Sequence, residues 1–241
     1  MIQRDVRASS IGRPVLFAAA AIVAAVVTAV LAKPITHSPT ATGAIQSPPP
    51  LSTQGATAGP PWIYGATEAR FTLTEYADLE CPYCRVYFTT LQRWIDAHPE
   101  VNWQWHHLPL SIHNPAATQA ARLAECAGEA NGNAAFWKTI AWIYQHTRDG
   151  GSGLPSDAPL PGLSPAIRTC LDSARPDAVI RAQAEEAARH GITAVPTLRL
   201  QDHRSGETVL LHGPVEGDAL LSAIDLLLAA PSSHPLSQAS R

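Results

Sequence analysis

The segment Asp78-Leu79-Glu80-Cys81-Pro82-Tyr83-Cys84 constrains the fold more than any other stretch of the chain. It lies between a strand-like run, Phe71 to Ala77, and a helix-like run that continues to about Ala97. Proline is suited to the first helical position, where its missing N–H has no partner to lose, so Pro82 puts Cys81 at the helix N-cap. Unpaired backbone N–H groups and the positive end of the helix dipole then face the Cys81 sulfur. Both favour the thiolate, which is the nucleophile. Cys84 lies one turn further in, on the face that carries Tyr87, Phe88, Leu91, Trp94 and Ile95. That spacing marks the buried side of a helix. The segment therefore predicts an exposed, attacking Cys81 and a covered, resolving Cys84.

Two blander readings compete with redox chemistry: half of a zinc site, and an inert structural pair. Zinc needs two more ligands, commonly from a second close pair. Cys126 and Cys170 each stand alone, and the adjacent His106 and His107 on a strand project to opposite faces. Thiol–disulfide exchange is the favoured reading, with no metal and no organic cofactor. His106, His107 and His113 are read as packing or hydrogen-bonding residues, and Trp94, Trp103, Trp105, Trp137 and Trp142 as core or groove wall.

The chain has 241 residues, 46% of them hydrophobic, which suffices for one domain with appendages. Charged residues make up only 15% and the net charge is −3, so nothing resembles a nucleic-acid footprint. The N-terminus carries Arg4, Arg7 and Arg13 ahead of an uninterrupted apolar run, 15–32. As a helix this run spans about 27 Å, close to the roughly 30 Å of a bilayer core. Residues 1–14 are expected on the cytoplasmic side and the rest of the chain across the inner membrane. The run serves as an anchor, or as a signal segment cut after Ala32. Either way the functional part is exported, where disulfides persist. Residues 33–61 mix seven prolines with Ser, Thr, Gly and Ala and read as a disordered tether.

The folded part is expected over 62–230, with a disordered tail at 231–241. Residues 71–77 and 101–108 read as strands around the first helix, a βαβ unit with a right-handed crossover. A helical block follows at about 111–191: Asn114-Pro115 starts one helix, 133–146 form a second, and Ser164-Pro165 and Pro176 start two more, the last ended by Gly191. Residues 147–163 are a long Gly/Pro loop, expected to be mobile. Strands at 197–200 and 208–212 and an amphipathic helix at 216–230 close the domain. The order is βαβ, four helices, ββα.

This order, together with Cys81-Pro82-Tyr83-Cys84, Val195-Pro196-Thr197 and the stretches Leu108-Pro109-Leu110, His113 and Ala120-Ala121 to Cys126-Ala127, resembles the DsbA-like thioredoxin-fold family of periplasmic thiol–disulfide oxidoreductases. The resemblance runs from about Tyr64 to Ala230. It implies an α/β thioredoxin fold with an inserted helical domain. It implies that Pro196 is the family's cis-proline facing the two cysteines, and that Val195 borders the groove where an extended substrate pairs. A proline at the first residue of a strand is in any case tolerated. Glu75, six residues before Cys81, stands where relatives carry a buried acid, and would relay a proton to or from Cys84; the alternative is a carboxylate reaching solvent at the sheet edge. Pro82 and Tyr83, between the cysteines, are a lever on reactivity in the family. Glu80 is either an exposed acid or a like charge that disfavours the Cys81 thiolate. Some family members carry a second disulfide in the helical block. Cys126 and Cys170 are accordingly expected to pair, the alternative being two separate buried thiols.

The reading that results is an exported, membrane-tethered, monomeric oxidase that donates disulfides to cysteine-containing exported proteins. A membrane or thiol redox partner would reset Cys81–Cys84. A periplasmic reductase or specialised maturation factor is the alternative within the same chemistry. A metal carrier or chaperone on a thioredoxin fold is the alternative outside it.

Overall fold

The computed structural model describes residues 59–160 and 162–229. The apolar run 15–32, the basic segment before it, the linker up to residue 58 and the tail 231–241 lie outside the described residues. Among the described residues no helix is long and apolar enough to cross a membrane.

Five strands form one mixed sheet: β1 (Ile63–Tyr64), β2 (Phe71–Ala77), β3 (Val101–His107), β4 (Thr197–Asp202) and β5 (Thr208–His212). Their order is β1-β3-β2-β4-β5. β2 and β3 run parallel, joined by α1 (Pro82–Ala97), and the other pairs are antiparallel. Four helices stand between β3 and β4: α2 (Ala116–Asn131), α3 (Asn133–His146), α4 (Pro165–Leu171) and α5 (Arg175–Arg189). Helix α6 (Gly217–Ala229) follows β5.

All seven residues of β2 are buried, as suits the central strand of a sheet covered on both faces. One face presents Leu73, Glu75 and Ala77, in register with Trp103, Trp105 and His107 of β3. Helix α1 packs Cys84, Tyr87, Phe88, Leu91 and Ile95 inward. Phe88 meets Trp103 at 5.2 Å and Tyr144 of α3 at 5.4 Å between ring centroids, and aromatic pairs of this kind add about 0.5–1.5 kcal/mol each beyond their buried area. Trp94 and Trp142 are only partly buried and stack on His98 and His146, one helical turn on. The opposite face of the sheet is covered by α5, where Tyr76 packs with Ala187 and Ile192.

Helix α2 is buried over most of its length because it is wedged between α3, α4 and α5. Its alanines permit this close approach, and so does Gly128, where a Cβ would stand 2.6 Å from the Trp62 ring. Cys126 of α2 and Cys170 of α4 form a disulfide, with Cα atoms 5.5 Å apart. Closing a ring of this length stabilises the fold by roughly 4 kcal/mol in the chain-entropy account.

The sequence reading missed β1. Two residues carry no alternation; the strand pairs antiparallel with β3, Tyr64 opposite Trp103, and Asn133 brackets Ile63, whose N–H donates to Asn133 Oδ1 (3.0 Å) and whose carbonyl accepts from Asn133 Nδ2 (2.7 Å). β4 runs two residues beyond the expected Leu200, since Gln201 still pairs with Thr208 and Asp202 accepts from Arg70 at 3.0 and 2.7 Å. Gly191 sits just beyond α5 with φ of +69°, the left-handed conformation expected of a glycine there.

Candidate active site

The C-terminal end of β2 delivers the chain into a tight corner. Cys81 is the N-cap of α1, in extended conformation (φ −85°, ψ 118°), and Pro82 is the first helical residue. Cys81 is not exposed as expected: 4% of its surface is accessible, against none for Cys84. Its side chain folds into the same buried cluster as Leu79, Phe88 and Tyr144. The insertion closes over this end of the sheet, and a strand-to-helix pattern read locally cannot register that cover.

The two sulfurs differ sharply. The Cys81 thiol is pulled down to about 6, first by the hydrogen bond from the Cys84 thiol. The backbone N–H groups of Cys84 and Tyr83 add to this, while burial and the Asp78 carboxylate oppose it. Cys84 moves far upward, because burial penalises its charged form and both Cys81 and Glu75 stand near. At neutral pH the pair therefore holds its negative charge on Cys81.

Glu75 lies below the pair on the core face of β2, with no accessible surface. The central position of β2 rules out the alternative of a carboxylate at the sheet edge. Neither oxygen has a normal hydrogen bond, nor has the Trp103 indole Nε1. Burial raises the Glu75 carboxyl to about 8, the nearby Trp103 N–H drawing it back only in part and Cys81 pushing it further. Glu75 is thus a protonated acid at pH 7, held in the core beside a thiol that also keeps its proton.

Pro196 stands at the same end of the sheet. The register pairs Tyr76 with Thr197, which sets Pro196 beside Ala77 at the end of β2 from which the chain runs on to Cys81. The Val195–Pro196 peptide bond is cis. Pro196 is buried and Val195 half-buried against the core. Tyr83 and Val86 project from the outer face of α1 with 69% and 71% of their surface accessible. With Tyr87, Thr90, Pro214, Val215 and Glu216 they line a groove of about 430 Å³ along α1.

Two acids before Cys81 organise the corner, and the sequence reading gave neither this role. Asp78 is buried; its Oδ1 accepts from the Glu80 N–H (2.7 Å) and its Oδ2 from the Leu110 N–H (2.8 Å), with His113 Nδ1 also 2.8 Å away. Glu80 is not an exposed acid: it has no accessible surface and accepts from Thr147 Oγ1 and from the Gly153 N–H. An aspartate and a glutamate flanking one leucine just before the cysteines were the available signal. A further missed acid is Glu125 on the inward face of α2. It accepts from Trp62 Nε1 (2.8 Å) and lies 3.3 Å from His107 Nε2, while His107 Nδ1 accepts from Trp105 Nε1 (3.0 Å). His106 faces the other way, 3.4 Å from Glu186 of α5, and burial lowers its affinity for a proton. His106 and His107 thus face opposite sides of the sheet, and the His107 backbone N–H donates to Gln183 Oε1 of α5 (2.7 Å).

The architecture is that of a thioredoxin-like α/β protein with a helical insertion. A family model described as Thioredoxin matches residues 57–225. The crystal structure of Pseudomonas aeruginosa DsbA2 is 44% identical, with a TM-score of 0.67, covering 69% of this chain and 93% of that one. Two antiporters are also similar. One is Na(+)/H(+) antiporter NhaA 3 of Salinispora tropica, 37% identical over 84 residues, which are 35% of this chain and 12% of that protein. The other is NhaA 1 of Salinispora arenicola, 28% identical over 180 residues, 72% of this chain and 26% of that protein. The chain thus spans only a minor part of either antiporter. The chain belongs to the thioredoxin family, among its DsbA-like thiol–disulfide oxidoreductases, enzymes of disulfide exchange.

Proposed function

We propose that the protein is an exported disulfide donor that works through Cys81 and Cys84. In the oxidised enzyme a substrate thiolate attacks Cys81, and the Cys81–Cys84 bond breaks with its electron pair leaving on Cys84. The mixed disulfide between substrate and Cys81 is then attacked by the second substrate cysteine. The substrate leaves with a disulfide, and the enzyme keeps two electrons as the reduced pair. Glu75 supplies the proton that Cys84 takes up on leaving, and receives it again when the pair is reoxidised. Val195 and cis-Pro196 border the cleft in which an extended substrate pairs, and Pro82 and Tyr83 shape the exposed rim. A membrane or thiol oxidant resets the pair.

The observation that carries the direction is the lowered Cys81 thiol. Whatever stabilises the thiolate stabilises the reduced enzyme, and so makes the disulfide a stronger oxidant. With a thiol at about 6 in place of an ordinary 9, the reduced form gains on the order of 1 kcal/mol at pH 7, a few tens of millivolts for a two-electron couple. The disulfide between Cys126 and Cys170 suits an oxidising compartment. Export through residues 15–32, with retention as an anchor, completes the reading, as a monomer tethered at the outer face of the inner membrane.

The test is the equilibrium of the Cys81–Cys84 pair against glutathione buffers. A potential well above about −200 mV establishes a donor; a value near or below the roughly −270 mV of thioredoxin overturns the oxidase reading and makes the protein a reductase.

A further inference from the structure

Residues 147–153, which leave α3 at the edge of the insertion, are stapled to both sides of the attacking cysteine. On one side stands Glu80, one residue before Cys81. Its two carboxylate oxygens accept separately from Thr147 Oγ1 and from the Gly153 N–H (2.9 Å), and its backbone carbonyl accepts from the Gly150 N–H (2.8 Å). On the other side stands Arg85 of α1, four residues after Cys81. Its guanidinium meets Asp149 at 2.9 Å and lies 3.5 Å from the Thr147 carbonyl. The loop is shaped for this fit. Asp149 adopts φ of +60°, the left-handed region rarely used by residues other than glycine, and its N–H donates to Thr147 Oγ1 (3.2 Å). Gly151 fits against His113, where a Cβ would stand 3.0 Å from the His113 backbone.

A fully buried carboxylate is costly unless its lone pairs are used. Glu80 spends both oxygens on one loop, although a neutral side chain could have filled the corner. Both oxygens of the carboxylate are taken up by the loop, so the side chain is placed to hold that loop. The expected Gly/Pro loop is in its first half a pinned element, and it lies beside a cysteine that is only 4% accessible.

We infer that Glu80 is a positioning residue: with Arg85 it clamps the 147–153 loop beside Cys81, and the clamped loop sets how large a partner can reach the sulfur. Small thiols and thin extended chains pass, and bulky folded surfaces are held off until the clamp opens. The inference rests on Cys81 being the attacking thiol.

The test compares two maleimides of the same chemistry, N-ethylmaleimide and a polyethylene-glycol maleimide, on the full-length protein with Cys81–Cys84 reduced and Cys126–Cys170 intact. The readout is the ratio of the Cys81 labelling rates, taken across a pH series. In Glu80→Ala and in Arg85→Ala the bulky reagent is expected to gain about five- to tenfold relative to the small one, with the midpoint of the pH profile unmoved. Glu80→Gln, which can still accept from Gly153 N–H and bond Thr147 Oγ1, is expected to restore the wild-type ratio. Should Glu80→Ala fail to fold, Arg85→Ala, a change at a partly exposed side chain, decides the matter alone. An unchanged ratio in the folded variants overturns the inference, as does a displaced pH midpoint at constant ratio, which would make Glu80 a charge that tunes the thiol. Failure of N-ethylmaleimide to label Cys81 in the wild type would instead overturn the proposed nucleophile, a separate outcome.

Discussion

Replacing Glu75 by glutamine should make the reduced protein more stable at neutral pH, by an amount that depends on pH in a defined way. In the unfolded chain the carboxyl titrates near 4.5; in the native core burial holds the proton until about pH 8. Between these values the native state binds more protons than the unfolded state, so stability falls as pH rises, and it levels off only above the native value. The slope is about 1.4 kcal/mol per pH unit, which amounts to roughly 3 kcal/mol by pH 7. Glutamine occupies the same volume, is equally buried and does not titrate. The two proteins should therefore be about equally stable at pH 4. They should diverge steadily above pH 4.5, with the variant ahead by roughly 3 kcal/mol at pH 7, or about 6–12 °C in melting temperature for a domain of this size. Urea unfolding followed by tryptophan fluorescence, with Cys81–Cys84 reduced, reads this difference. Parallel stability curves for the two proteins from pH 4 to pH 8.5 would show that Glu75 ionises normally in the fold, and the argument for a protonated acid beside Cys84 would be lost.

Alkylation of Cys81 should follow a single thiol titrating near pH 6, falling about tenfold per pH unit below it; a midpoint near 9 would remove the asymmetry between the two sulfurs. Cys81→Ser should abolish disulfide exchange and Cys84→Ser should trap mixed disulfides with substrates, detectable on non-reducing gels; exchange surviving Cys81→Ser would refute the assignment of roles. Replacing Cys126 and Cys170 together by alanine should cost roughly 4 kcal/mol in the chain-entropy account, read as a lower urea midpoint, and should leave the Cys81 pH profile in place. Gly128→Ala would drive a methyl group to within 2.6 Å of the Trp62 ring and should cost about 1–3 kcal/mol, with a change in the Trp62 emission; an unchanged stability would mean that Trp62 is not wedged against α2.

The order of elements could be read from the chain because each rests on local physics. Alternation in Phe71–Ala77, proline at the start of α1, the apolar spacing of Tyr87, Phe88, Leu91 and Ile95, and glycine after α5 depend only on neighbours a few residues away. The same holds for the N-cap position of Cys81, since one proline places it. What the sequence could not show is what lies across from each residue. Cys81 is buried in a cluster that includes Tyr144 of α3, Glu80 bonds a loop some seventy residues further along the chain, and β1 pairs with β3 and bonds Asn133. Asp78 draws in Leu110 and His113, and Glu125 draws in Trp62 and His107. A carboxylate in an apolar run reads alike whether it reaches solvent or a buried donor, because only the fold brings the donor. The local pattern thus determined which elements form, β1 excepted, and where the two sulfurs begin, while the tertiary structure decided which acids are buried and how differently the two thiols hold their protons.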